Sequence, residues 1–343
     1  MKRFYSPWIG PCLLAAGLLL YPIIFSSPFY RDIGVTFLLA AISASAWNIV
    51  GGYAGQVSVG HSMFFGLGAY TPLLLYTLWG WPLIAGIPVG MLLSVALSVV
   101  IGLPTFRLSG HYFSMATIAV AELIRIYFGT WTLVGAAIGL QGPATGRGWW
   151  DLTFRSELPY YYMFLGVLTF VLYVTFAVER RRFGFYLRSI KASERAARSL
   201  GVPVRQTKLQ ALALSAAFTS AAGSLYAAKT GFIDPDSGFG ILVSVQMVIV
   251  AALGGAGTLF GPLLGAAILI PLQAATNTWF GGSDSGFTLN IFGVIVSFHG
   301  SGAALTFILY GGIIVLIARF EPGGLCELWR RLAPRLWKSA HAA

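Results

Sequence analysis

Gln56, Ser58, His61 and Ser62 fall close together in GGYAGQVSVGHSMFFGLGAY, residues 51–70, a stretch with six glycines between two apolar runs. An amide, two hydroxyls and an imidazole can hydrogen-bond a polar solute. With no carboxylate pair or nucleophile pattern beside them they do not make a reaction centre. A second polar stretch, KTGFIDPDSGFG at residues 229–240, contributes Asp234 and Asp236, and Glu122 and Arg125 stand three residues apart in VAELIRIYF. The other histidines (His111, His299, His341) and the two cysteines (Cys12, Cys326) are scattered. None has metal-ligand spacing, and a disulfide between the cysteines is not expected. Lys229-Thr230 follows Ala228, where a phosphate-binding loop needs glycine. The chemistry to expect is the binding and passage of a solute. No catalytic residue, metal or bound cofactor is expected, and any ATP used must be hydrolysed on another polypeptide.

Composition indicates what positions these groups. Hydrophobic residues make up 57% of the chain and charged residues 10%, against about 25% charged in a soluble domain. A helix needs about 20 mostly apolar residues to span the hydrocarbon. Runs near that length fall at residues 8–26, 34–50, 63–79, 82–103, 112–128, 160–178, 209–228, 241–253 (short), 262–280 and 304–319. No segment alternates like a transmembrane barrel strand. The pattern predicts an all-α polytopic membrane protein of about ten spans, with 287–298 as a partial or interfacial helix. The first run follows Lys2 and Arg3 as a signal peptide would, but Ser26-Ser27-Pro28 is a poor cleavage site, so an uncleaved helix is expected.

The basic residues set orientation. Residues 179–208 hold nine Lys and Arg against Glu179 and Glu194, and the C-terminal stretch adds Arg319, Arg330, Arg331, Arg335 and Lys338. Placing both inside, with Lys2 and Arg3, requires an even number of spans. Both termini, the 179–208 loop and the 320–343 tail are then cytoplasmic, while Asp151, Glu157, Asp234, Asp236 and Asp284 lie outside. The net charge of +11 is thus a topology signal, and nucleic-acid binding is not expected.

Helix-breaking backbone at membrane depth must be buried in protein or line a cavity. The stretch at 51–70 has two readings: a turn with a glycine packing face, or a substrate path using Gln56, Ser58, His61 and Ser62. The stretch at 229–240 repeats the mixture of glycine and polar side chains and faces the opposite side. Breaks at matching places in oppositely oriented halves are the pattern of inverted-repeat transporters. Asp234 and Asp236 alone also suit a solvated loop. Charges within a span are costly and usually paired or functional. Glu122 and Arg125 share a helix face and read as a structural ion pair.

Several blocks in order, GYAGQVSVGHSMFFGLGAYT, RLSGHYFSMATIAVAELIR, RRFGFYLRSIKASERAARSLGV, SAAFTSAAGSLYA, GFIDPDSGF and LGGAGTLFGPLLGA, resemble the M-type membrane subunit of branched-chain amino-acid ABC importers. The closing RFEPGGL resembles that family's ending. The resemblance covers roughly residues 30–325. It implies a single permease domain over 1–343 with the type II, vitamin-B12-importer-like fold. It also implies a homologous second permease subunit, two cytoplasmic ATPases and a periplasmic solute-binding protein as partners, in the bacterial inner membrane. Two departures stand out. Within VGAAIGLQGP, residues 134–143, alanines replace the Gly-Pro of the family's Gly-Gly-Pro-x-Gly-Leu pattern, and residues 276–301 are unusually long and glycine-rich. Relatives of this subunit carry urea, amides and other small acids, so the solute stays open.

The loop at 179–208 has its own local logic. Ser193 suits a helix N-cap, and Glu194 places negative charge in the first turn. Gly201 suits a C-terminal stop, and Pro203 prevents continuation. The spacing of Ala196, Ala197 and Gly201 resembles the coupling loop of ABC importers, which implies that Ser193, Glu194, Arg195, Ala196, Ala197 and Gly201 dock on an ATPase. Without the resemblance, an amphipathic helix anchored by positive charge is the simpler reading. The competing function class is an ATP-independent secondary transporter or channel. Carboxylates for ion coupling are nearly absent from the spans apart from Glu122, which disfavours it.

Overall fold

In hydrocarbon each backbone N–H and C=O must find a partner within the chain, so long apolar runs close as helices. The computed structural model describes residues 9–108, 110–143, 147–280, 288–291, 294–297, 311–312 and 324–326. Its helices are α1 (Ile9–Ile24), α2 (Pro28–Asn48), α3 (Ser62–Trp79), α4 (Leu83–Thr105), α5 (His111–Thr130), α6 (Glu157–Arg180), α7 (Arg182–Ala192), α8 (Glu194–Ser199), α9 (Val204–Thr230), α10 (Pro235–Phe239), α11 (Ile241–Gly254) and α12 (Gly261–Phe280).

Six helices among the described residues are long and apolar enough to cross a membrane: Pro28–Tyr53, Leu83–Thr105, His111–Thr130, Glu157–Arg180, Val204–Thr230 and Pro235–Gly254. The predicted runs at 8–26, 63–79 and 262–280 form α1, α3 and α12. The run at 304–319 lies outside the described residues except for 311–312. One expectation is corrected. In place of a partial helix at 287–298, β1 (Thr288–Ile291) and β2 (Val294–Ser297) pair antiparallel, Thr288 opposite Ser297. The β-branched Ile291, Val294, Ile295 and Val296 favour extended backbone over helix.

Helix α9 is the central post, packing along α3 and α4, while α2 packs on α6, α9, α11 and α12. Small residues permit the closest crossing. A Cβ at Gly68 would stand 1.9 Å from the Ser220 carbonyl oxygen, and one at Gly223 1.9 Å from that of Phe65. Ser224 Oγ donates to Gly68 O at 2.7 Å across this contact. Without a hydrophobic drive between helices in lipid, such contact supplies the van der Waals attraction that binds α3 to α9.

The connections collect at two ends. At one end Asn48 clamps the α11–α12 turn, its Oδ1 accepting from Gly257 N at 2.7 Å and its Nδ2 donating to Thr258 O at 2.9 Å. Lys191 of α7 approaches Ala256 O at 3.5 Å, and burial pulls its pKa down. Cys326 is buried here, with Thr258 Oγ1 3.5 Å from its sulfur. At the other end Lys229 pairs with Asp32, and Leu140–Gln141 forms a short ladder with Phe232–Ile233. Gly142 N donates to Gly231 O at 2.7 Å beside that ladder. Residues 140–142 therefore pack against the end where the second break lies.

Candidate functional site

Helix α2 passes into a π-turn at Ile49–Tyr53, and the chain then runs back toward α3 without regular structure. Each step of that return is anchored. Trp47 Nε1 donates to Ser58 O at 2.7 Å, Ser114 Oγ to Val57 O at 2.5 Å, and Val59 N to Thr117 Oγ1 at 3.3 Å. His61 Nδ1 lies 2.9 Å from Ser58 Oγ and Nε2 2.9 Å from Ser215 Oγ. Ser215 Oγ spends its proton on Ala46 O at 2.7 Å, so it must accept from Nε2–H, and in the neutral ring Nδ1 accepts from Ser58. The first break thus joins α2, α5 and α9 through one satisfied network, the arrangement that buried polar groups require.

At the start of α3, Ser62 N donates to Ser244 Oγ of α11 at 2.7 Å. The start of α3 and the first turns of α11 therefore meet in the protein interior, with both serines fully buried. Ser58, His61 and Ser62 are wholly buried, and the Ser62 hydroxyl has no partner among the described residues. Gln56 is partly exposed, next to exposed Val57. An apolar groove opens between α3, α4 and α5, lined by residues such as Leu67, Leu97 and Ile124, and none of the expected path residues lines it.

In the second break Asp234 caps α10. Its Oδ1 accepts from Ser237 N at 3.3 Å, and Ser237 Oγ reaches back to Asp234 in a reciprocal box. Asp236 turns instead toward α5. Arg125 donates from Nη1 to Asp236 Oδ1 at 2.5 Å, and from Nε and Nη2 to Glu122 at 2.6–3.1 Å. The structure thereby unites two features separate in the sequence, and the pair Glu122–Arg125 becomes a three-member cluster spanning α5 and α10.

The loop at 179–208 folds as α7, α8 and the first turn of α9. Ser193 is the N-cap of α8, its side chain accepting from Ala196 N at 3.3 Å. Gly201 has φ +81°, and Gly201 N bonds to Arg198 O while Val202 N bonds to Ala197 O. That pair of bonds is a Schellman stop, whose left-handed residue favours glycine. Ala197 is buried in this chain's own cluster with Ile190 and Val204, while Arg195, Ala196 and Gly201 are exposed. Glu194 pairs with Arg198 at 3.2 Å and with Lys208 at 2.6 Å.

Several structurally central groups escaped the sequence. Leu200 at the loop tip is 82% exposed, an unpartnered side chain that the helix-forming run concealed. Asn48, Ser215 and Ser244 were detectable as polar residues within apolar runs, but their partners lie far away in the chain. Ala136, within the segment that departs from the family pattern, takes φ +47°, a left-handed backbone that costs a residue with a Cβ.

Residues 30–318 match the family described as branched-chain amino acid transport system / permease component. The high-affinity branched-chain amino acid transport system permease protein LivM of Escherichia coli K12 is 29% identical over 262 residues, which cover 70% of this chain and 61% of LivM. LivM of Salmonella typhimurium is 30% identical over 263 residues, again 70% of this chain and 61% of the relative. The autoinducer 2 import system permease protein LsrC of Klebsiella pneumoniae is 32% identical over 111 residues, 31% of this chain and 32% of LsrC. The similarity to LivM thus spans about three fifths of that protein's length. With its multiple apolar helices this is a multi-pass membrane protein, and the chain belongs to the family of branched-chain amino acid transport system permease components.

Proposed function

We propose that the chain is the transmembrane permease subunit of an ATP-driven ABC importer for branched-chain amino acids or similar small solutes. The match over residues 30–318 carries this reading. The coupling-type helix α8, capped by Ser193 and stopped at Gly201, supports it. The permease supplies half of the translocation path, a homologous second subunit the other half, and two cytoplasmic ATPases the energy, with solute delivered by a periplasmic binding protein. ATP is bound and hydrolysed by those partners and no cofactor is held by this chain.

The proposed architecture is one domain over residues 1–343, with ten spans in the type II fold, both termini and the 320–343 tail in the cytoplasm of the bacterial inner membrane. The alternation of helix ends supports it. Basic Arg107, Arg180–Arg182, Arg188, Lys191 and Arg205 fall toward one end, while Asp151, Glu157, Asp234 and Asp236 fall toward the other together with fewer basic residues such as Arg31, Arg125 and Lys229, a bias in the sense of the positive-inside rule. The breaks after α2 and α9, with α3 and α11 meeting at Ser62 and Ser244, support an inverted repeat. Gln56 and Asp236 are the exposed candidates for solute contact, while the buried Ser58 and His61 shape the wall, Ser62 joins it to α11, and Asp234 holds the outer turn.

Purifying the chain with its native partners tests the whole reading. Two ATPase chains and a second permease in the eluate, with ATP hydrolysis stimulated by a loaded binding protein, are expected. Solute transport by the isolated chain without ATP would favour the secondary-transporter class instead.

A further inference from the structure

Lys208 is a lysine with almost no contact with solvent, its side chain 2% exposed, in the first turns of α9. An ammonium in such a place is costly unless a counter-charge compensates it. The counter-charge comes from the neighbouring helix: Glu194 Oε2 of α8 lies 2.6 Å away. Nζ also stands over the ring of Phe106, 5.9 Å from its centroid, within range of a cation–π contact. Phe106 ends α4, and its ring stacks on Phe113 in the first turn of α5, with centroids 5.2 Å apart and an angle of 11°. A second tie runs parallel, from Arg205 Nη2 of α9 to Leu103 O of α4 at 3.2 Å. The buried cation of α9 thus touches Glu194 of α8 and Phe106 at the end of α4, and Phe106 in turn stacks on α5.

We propose that Lys208 is a positioning residue for transport. It locks α8 to α9, so that a displacement of α8 is delivered to the α4–α5 turn through Phe106 and Phe113. The inference rests on the reading of α8 as the ATPase-coupling helix. Its physical reason is asymmetric cost. Sliding α8 off α9 would strip Glu194 from an ammonium that solvent cannot reach, whereas moving both helices together keeps the pair. The movement then falls on α5, the least buried of the six apolar helices. Its outer part carries Arg125, bonded to Asp236 at the opposite end of the bundle. Exposed ion pairs such as Glu194–Arg198 could not do this, since solvent replaces either partner at little cost.

The test uses the full complex in liposomes with a loaded binding protein, reading ATP hydrolysis, solute uptake and recovery of the ATPases with the permease. Lys208→Met keeps the aliphatic stem and removes the charge. Normal ATPase recovery is expected, with hydrolysis within about threefold of wild type and solute moved per ATP reduced at least tenfold. Lys208→Arg is expected to restore most of that ratio. Should Lys208→Met fail to accumulate in the membrane, the ratio is read on Glu194→Gln, which is expected to lower it likewise. An unchanged ratio overturns the proposal. So does a parallel loss of recovery, hydrolysis and uptake that leaves the ratio intact, because Lys208 would then only hold the loop together. Gly201→Asp separates the two levels. If it leaves uptake and ATPase recovery at wild type, the coupling reading fails and this inference with it. If it abolishes uptake while Lys208→Met keeps a normal ratio, only the role of Lys208 is overturned.

Discussion

Arg125 Nη1 and Asp236 Oδ1 lie 2.5 Å apart although 111 positions separate them in sequence. This contact closes the C-terminal half of α5 onto the second break. Asp236 remains 76% exposed in its side chain, so its pairing competes with water.

Exposed pairs of this kind contribute about 0.2–1 kcal/mol. Asp236→Asn should therefore lower stability by no more than about 1 kcal/mol. Arg125→Met should cost more, because it leaves Glu122 without its counter-charge on an apolar helix. Thermal unfolding in detergent of both variants and the double variant measures the coupling; a value above about 2 kcal/mol would show the pair to be a main structural tie.

His61 and Gln56 should separate wall from path. His61→Leu strands the fully buried hydroxyl of Ser58, while Ser215 keeps its bond to Ala46 O, and a buried group left unpaired costs about 1–3 kcal/mol. A lower melting temperature and a lower membrane level are expected. Gln56→Leu should leave both intact while slowing uptake. Normal stability of His61→Leu would mean that water replaces the ring.

Leu200 is the apolar tip of the α8 loop, and Ala197 is its inner packing. Leu200→Ser removes an exposed side chain, so the permease should fold normally. If that side chain is buried on an ATPase, the loss of about 2 kcal/mol of apolar contact would weaken recovery of the ATPase roughly thirtyfold. Ala197→Leu should instead overpack the cluster with Ile190 and Val204, at about 1–3 kcal/mol. Equal ATPase recovery for Leu200→Ser and wild type would remove Leu200 from the docking surface.

Cys326 should react slowly with a membrane-impermeant maleimide, and only from the cytoplasmic side. Burial pushes its thiol pKa up, so the thiolate that reacts is scarce at neutral pH. Raising the pH should accelerate labelling, whereas Thr258→Ala should slow it further, because the hydroxyl that donates to the sulfur favours the thiolate. Fast labelling from outside would contradict the proposed topology.

Ala136→Gly should stabilise the protein. The left-handed backbone at φ +47° costs a residue with a Cβ about 1–2 kcal/mol, and glycine's greater unfolded-state freedom returns part of that. A net gain of roughly 0.5–1 kcal/mol, seen as a higher melting temperature, is expected. A decrease would indicate that the Ala136 methyl makes contacts worth more than the backbone strain.

The sequence by itself determined the helices, because apolar runs of spanning length have one way to satisfy their backbone in lipid. It also determined the ends of α8, since Ser193 and Gly201 act on backbone groups a few residues away. The strand pair of 288–291 with 294–297 escaped it, because periodicity alone does not separate a short apolar strand from a helical segment. Only the tertiary structure decided the partners of the polar groups. Local spacing joined Glu122 to Arg125 but left Asp236 out, and residue type alone left His61 open to both packing and a solute path. Its bond to Ser215, 154 positions away, is invisible to any local pattern. The same holds for Ala197, which has a small side chain suited equally to a partner's groove or to its own chain's core; the fold of α7 and α9 around it put it in the core. Helix formation is settled by neighbours a turn apart, whereas the burial and pairing of a polar side chain depend on which distant helices crowd against it.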